Sequence, residues 1–242
     1  MATVKSVMDK VARQCSVAAP SSWIGASDNG AIELLDFLDD TIKELRKRVE
    51  WEEPIGTDVV IEGNGGESYA LPNNFYRFMR DELAAYEETT TRRRGLPINT
   101  SGKWTALKSV GTAGAYRYFR ITGYPGNYNV LFFRPLGEND RITLAYITDR
   151  WVASSTGTLM NTWMADGDIL LMDDRLVQLG VRWRWLQQKG LAYDDYLNEY
   201  EAYLMRERND NRNIRTLVIG DTGDEFRAPW DVPVPDFIPP NN

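Results

Sequence analysis

Few residues in this chain have the type and spacing to do chemistry. They fall into four groups: arginine clusters, adjacent acid pairs, a glycine-rich turn and one thiol. Arg92-Arg93-Arg94, and Arg182 and Arg184 on either side of Trp183, carry guanidinium groups that can hold phosphates or stack on bases. Arg92 to Arg94 equally suit a polar loop, and Trp beside Arg is the usual anchor set of a protein interface, the reading that the run RWRW favours. Lys43, Arg46, Lys47 and Arg48 read as a solvated helix end whose cations complement the helix dipole, with an acidic or nucleic-acid partner as the alternative. Asp39-Asp40, Asp173-Asp174 and Asp194-Asp195 fall on expected helices, where neighbours point about 100° apart and do not converge on one bond. They read as caps or solvated faces. Gly63-Asn64-Gly65-Gly66 lacks the Gly-Lys-Ser/Thr ending of a phosphate-binding loop and reads as a β-hairpin turn. Cys15 lies on an apolar helical face and reads as a core residue.

Composition narrows the classes further. The 242 residues include no histidine, one cysteine, 28 basic and 35 acidic side chains, for a formal net charge of −7. Without histidine there is no Ser-His-Asp or Cys-His nucleophile, no imidazole switch and no His-ligated metal. One thiol makes neither an internal disulfide nor a cysteine-rich zinc site. A two-carboxylate glycosidase would need acids from distant segments, which the sequence leaves open. The expectation is a non-enzyme with no cofactor and no metal. The acidic balance argues against nucleic-acid binding by the whole surface, although local basic patches remain open. No run approaches the roughly 18 apolar residues of a membrane span, and the N-terminus has no apolar signal core, so the expectation is a cytoplasmic protein without membrane contact. At 43% hydrophobic and 12% aromatic residues the chain can bury a core.

The elements that must position these residues are legible in the spacing. Val4, Val7, Met8, Val11 and Cys15 share one helical face over residues 3–15. Ile32, Leu35, Leu38, Ile42, Leu45 and Val49 predict a helix over 28–51, with Ser27 or Asp28 as its cap. Residues 57–165 turn to period-two patterning with Gly/Pro breaks: TDVVIEGNGGESYALP reads as two strands about a turn, and YRYFRITG, NVLFFRP and RITLAYITD as three more. Residues 72–90 give mixed signals, and 100–109 around Trp104 read as a short helical turn. Residues 169–189, with Asp173 as a cap, and 193–209, with an aromatic stripe through Tyr196, Tyr200 and Tyr203, predict two further helices. Residues 213–220 read as an isolated strand, and the proline-rich end as an extended arm too apolar for a solvated linker. The expected fold is α+β, a four-helix bundle made by the N- and C-terminal helix pairs, with an inserted antiparallel β module and an extended C-terminal arm. The expected division is 1–54 with 166–212 as the bundle, 55–165 as the β-rich module and 213–242 as the arm.

Several ordered pieces resemble the head-to-tail adaptor (connector) proteins of tailed bacteriophages. They are ARQCSVAAPSSWIGASD, RKRVEWEE, GESYALPNNFYRF, KWTALKS, YRYFRITG, LAYITDRWV and RLVQLGVRWRWLQQKGLAYDDYLNEYEAYLMRE, so the resemblance covers about residues 5–210. It implies a structural virion protein, assembled in the host cytoplasm, that forms a ring of about twelve copies at the head-tail junction. Its implied partners are the phage portal protein, the next tail component (a nozzle, or a tail tube or terminator) and copies of itself, with DNA passing through the channel. The arm residues Leu217, Ile219, Phe226, Trp230, Val232, Val234, Phe237 and Ile238 are then expected to bind portal or neighbour. Arg182, Trp183, Arg184, Trp185, Tyr196, Tyr200 and Tyr203 are expected at the ring interface. Two other readings compete. A carbohydrate-binding or tail-associated β module would stack sugars on Tyr116, Tyr118, Tyr124 and Tyr128, and a DNA-contacting accessory protein would use Arg92 to Arg94 and Lys43 to Arg48.

Overall fold

The structure is a computed structural model and describes residues 2–52, 54–79, 85–87, 94–111 and 116–213, with side chains up to Asn209. The stripe Val4, Val7, Met8 and Val11 is buried as α1 (Val4–Gln14), opened by Thr3, whose hydroxyl accepts from the Ser6 amide. Asp28 caps α2 (Asn29–Arg48) by accepting from the Ala31 amide. The buried arc of α2 runs through Ala31, Leu34, Leu38, Ile42 and Leu45, so Ile32 faces outward and is 41% exposed. Residues 101–110 form a ten-residue helix, α3 (Ser101–Val110), whose one buried side chain is Trp104. The helix expected from residue 169 begins later, as α4 (Asp174–Gln188), where Asp173 Oδ1 accepts from the Leu176 amide at 2.7 Å. The last helix is α5 (Asp194–Asn213).

Eleven strands form three sheets among the described residues. In the first, β8 (Arg141–Thr148) pairs on one side with β1 (Gly56–Glu62) and on the other with β3 (Phe75–Phe78) and β4 (Ala85–Glu87), all antiparallel. The second has the order β2 (Ser68–Ala70), β7 (Asn127–Phe132), β6 (Arg117–Tyr124), β5 (Gly95–Pro97), and β5 runs parallel to β6. The third is small: β9 (Val152–Ala153) lies between β10 (Leu159–Met160) and β11 (Ile169–Leu170).

The hairpin expected around Gly63–Gly66 does not form, because β1 and β2 belong to different sheets. The segment bonds to the 136–140 turn instead: the Gly63 amide donates to Asp140 O at 2.7 Å and the Gly65 amide to Leu136 O at 2.8 Å. A Cβ on Gly63 would lie 1.9 Å from Gly137 O, so only glycine allows the two backbones to meet.

The four-helix bundle with an inserted antiparallel module is not the fold. Five helices and three sheets share two cores. In the first core α4 packs against α1, α2 and α5, but strand and loop residues Ile147, Trp151, Val152, Leu170 and Met172 fill the same interior. The α1 start is also stitched to β11, with the Val4 amide on Asp168 O and the Leu170 amide on Ala2 O. Helical spacing identifies the face that a helix buries but not what covers it, and here strands cover part of it. The second core lies between the first two sheets and holds Phe75, Phe119, Val130, Phe132, Ile142 and Leu144. Strand β8 serves both, turning Ile142 and Leu144 to the second core and Ile147 to the first. The fold is thus β-rich at its centre, and the parallel β5–β6 pair makes it more than an antiparallel insert. The arm and the isolated strand expected after residue 213 lie outside the described residues.

Candidate assembly surface

Helices α4 and α5 are joined at Gly190, whose φ of +67° suits glycine at a helix end. Asp194 and Asp195 sit in the first turn of α5, where negative charge complements the helix dipole. Tyr200 and Leu204 of α5 are fully buried, and the Tyr200 ring lies 6.2 Å from that of Trp183 on α4. Burial pushes the Tyr200 hydroxyl up, and the oxygen has no hydrogen-bond partner among the described residues. The Arg182 guanidinium stands 3.9 Å over the Tyr196 ring, an interhelical cation–π contact.

Arg184 points the other way. It donates to Gly180 O at 2.8 Å and to the Thr41 hydroxyl at 3.1 Å, and it forms an ion pair with Glu44 of α2. Glu44 also accepts from Arg48, one helical turn on, and Arg48 grips Glu201 of α5 with bonds of 2.7 and 2.5 Å. A chain of alternating charge therefore ties α4, α2 and α5 together. Hydrogen bonding from Arg48 holds the Glu201 carboxyl below the usual carboxylate range, and Glu201 in turn raises Arg48. Of the residues expected at a ring interface, Arg182, Trp183, Arg184, Trp185, Tyr196 and Tyr203 are thus half-buried and Tyr200 is buried within its own chain.

The surface that α4 and α5 leave open was not visible in the aromatic stripe. On α5, Asp195, Asn198, Ala202 and Met205 (58% exposed) form an exposed face at helical spacing, and Leu191, 49% exposed, lies in the link before the helix. This ridge backs the stripe, and the period-3.6 positions opposite Tyr196, Tyr200 and Tyr203 are the signal that would have found it. Beside the C-terminal half of α5, Glu207 and Asp174 flank a cleft of about 350 Å³ floored by Trp51, Ile55, Leu170 and Met172.

The remaining sequence-derived groups are scattered. Arg92 and Arg93 lie outside the described residues. Lys43 pairs with Asp39, and Arg46 donates to Asp149 O at 2.8 Å while lying 4.7 Å from the Tyr76 ring, so these two and Arg48 serve contacts within the chain, while Lys47 is exposed. Tyr116 and Tyr118 are neighbours, but Tyr128 packs on Phe75 and Tyr124 projects from the β6–β7 turn, so the four tyrosines form no single platform. Burial pushes the Cys15 thiol up to about 11, against the pull of Arg182, which leaves it protonated and unreactive at neutral pH. Among the described residues no three carboxylate or thiol side chains converge as a metal site, and no helix is long and apolar enough to cross a membrane.

The sequence pattern of the SU10 adaptor protein family matches residues 2–233. The chain belongs to the SU10 adaptor protein family. No curated protein matches it. The SU10 adaptor match confirms the resemblance read from residues 5–210 and extends it into the proline-rich segment, which the quoted pieces left uncovered. A phage adaptor is a virion component that interacts with other virion components.

Proposed function

We propose that the protein is a head-to-tail adaptor that forms a ring, joins the phage portal to the next tail component and leaves a channel for DNA. The observation that carries this reading is the family match over residues 2–233. Ring closure needs two different surfaces per copy, since a cyclic assembly of more than two copies uses heterologous contacts. The α5 ridge from Asp195 to Met205 supports one such surface, with Arg182, Trp183 and Trp185 packed in the helices behind it. Residues 213–242 form the portal latch in this proposal, their apolar anchors Phe226, Trp230 and Phe237 supplying the contact. Subunit mass of the full-length protein with and without portal tests the reading. A discrete complex of about twelve copies on the portal is the expected result. Persistence as a monomer in the presence of portal overturns it.

A further inference from the structure

Charge in this chain is segregated. Residues 89–137 hold eight Lys/Arg and no Asp/Glu, whereas the rest of the chain holds 20 basic against 35 acidic residues, a balance of −15 within the total of −7. In the fold this acid-free stretch supplies β5, α3, β6 and β7, and among the described residues Lys103 and Lys108 lie on α3 and Arg117 and Arg120 on β6, with Arg134 just after β7. The one buried side chain of α3 is Trp104, whose ring meets Phe133 edge-on at 6.2 Å. Around that ring stand the Arg120 guanidinium at 5.0 Å and the Lys108 ammonium at 5.9 Å, and Arg134 donates to Gly111 O at the end of the helix. Lys103, Lys108, Arg120 and Arg134 have no carboxylate partner among the described residues, whereas Arg117 on the inner face is occupied by Glu87 and Asp140. Apart from half-buried Leu107 the rest of α3 is exposed, Val110 to 68%.

We infer that this α3 face is an assembly surface that docks on the acidic surface of a second copy of the chain. The inference rests on the ring reading and names what drives one side of the contact. Two such faces repel each other, so the patch does not support a two-fold dimer; it suits a heterologous contact in which positive meets negative. Three observations favour a protein over duplex DNA. Trp104 is only 3% exposed and offers no base a stacking surface. Val110 sits beside the cations as an apolar contact that phosphates do not use. The −15 carried by the rest of the chain matches the patch in a second copy but repels a duplex.

The test compares full-length wild type with K103E/K108E, two exposed positions, and with the triple variant that adds R134E. Mass distributions are measured with portal present at 50 and 500 mM salt, alongside thermal melts and binding of a labelled duplex. The expected result is unchanged melting, a fall of about tenfold or more in assembly for K103E/K108E, a further fall for the triple variant, and weaker wild-type assembly at high salt. Wild-type rings matched by variant rings of the same salt dependence overturn the inference and leave the ring reading standing. Loss of duplex binding with assembly unchanged overturns it in favour of a phosphate site. A wild type that stays monomeric on portal overturns both.

Discussion

At the scale of single residues, two ion pairs carry different weights because they are differently wetted. Glu87 on β4 is fully buried and accepts from Arg117 on β6 at 2.6 Å, so the pair bolts the first sheet to the second. Removing one partner strands a buried charge, and Glu87→Ala is expected to cost about 3 kcal/mol in urea unfolding, moderated by the 3.1 Å contact of Arg117 with Asp140. A cost under about 1 kcal/mol would mean that Asp140 alone satisfies Arg117. Arg48–Glu201 is about a third exposed on each side, so screening limits it to about 1 kcal/mol. Its sign with pH follows from the depressed Glu201 carboxyl. The folded state holds its proton less tightly than the unfolded chain, so the stabilisation is full above the ordinary carboxylate value of about 4.3 and is lost as pH falls through the lower folded value. Glu201→Gln is therefore expected to be less stable than wild type at pH 7, the gap narrowing as the pH is taken below about 4. A constant gap across that range would assign the effect to packing.

At the scale of elements, the crossing of α2 and α4 depends on Gly180. A Cβ there would stand 2.4 Å from Thr41 Cγ2 and 3.1 Å from the Tyr200 ring, and Thr41 is itself fully buried. Alanine would gain about 1 kcal/mol of helix propensity, but overpacking at this contact costs about 1–3 kcal/mol, so Gly180→Ala is expected to lower the melting temperature. Thr41→Ser removes the offending methyl, and the double variant should recover most of the loss; a Gly180→Ala protein that melts higher than wild type refutes the close approach. The same crossing explains what the sequence conveyed. Local spacing marked the buried stripe of α1, the cap Asp173 and the pair Ser27 or Asp28, of which Asp28 is the cap, because those depend on neighbours three or four residues away. The strands at 117–124, 127–132 and 141–148 were legible for the same local reason. Partner choice was not: β1 and β2 go to separate sheets because Gly63 meets the 136–140 turn, a contact more than 70 residues away in sequence. The bundle expectation failed alike, since nothing local to α4 announces that Ile147, Trp151 and Val152 will help to cover it. For the candidate surface, the aromatic stripe of α5 was visible, but the spacing did not tell that Tyr200 is buried while Tyr196 and Tyr203 are half-buried, nor that Met205 on the opposite face is exposed.

At the scale of the whole molecule, the proposed ring and portal contacts require surfaces separable from the subunit's own stability. The α5 ridge meets that condition: Met205 is 58% exposed and a change there leaves the core intact. Met205→Arg is expected to leave the melt unchanged while reducing ring formation about tenfold, read as the loss of high-mass species; equal ring yield would remove the ridge from the interface. The proposed latch is separable in the same way, because its anchors come after α5 ends at Asn213. Deleting residues 214–242 should leave melting unchanged within about 0.5 kcal/mol of stability if those residues serve only the partner. Portal affinity should then fall steeply, and Trp230→Ala with Phe237→Ala should reproduce most of the fall, since buried aromatic anchors dominate interfaces of this kind. Ring mass and portal affinity need to be read together. A truncated protein that binds portal as well as wild type refutes the latch, whereas one that binds portal but no longer closes into a ring moves the same segment from the portal contact to the contact between copies.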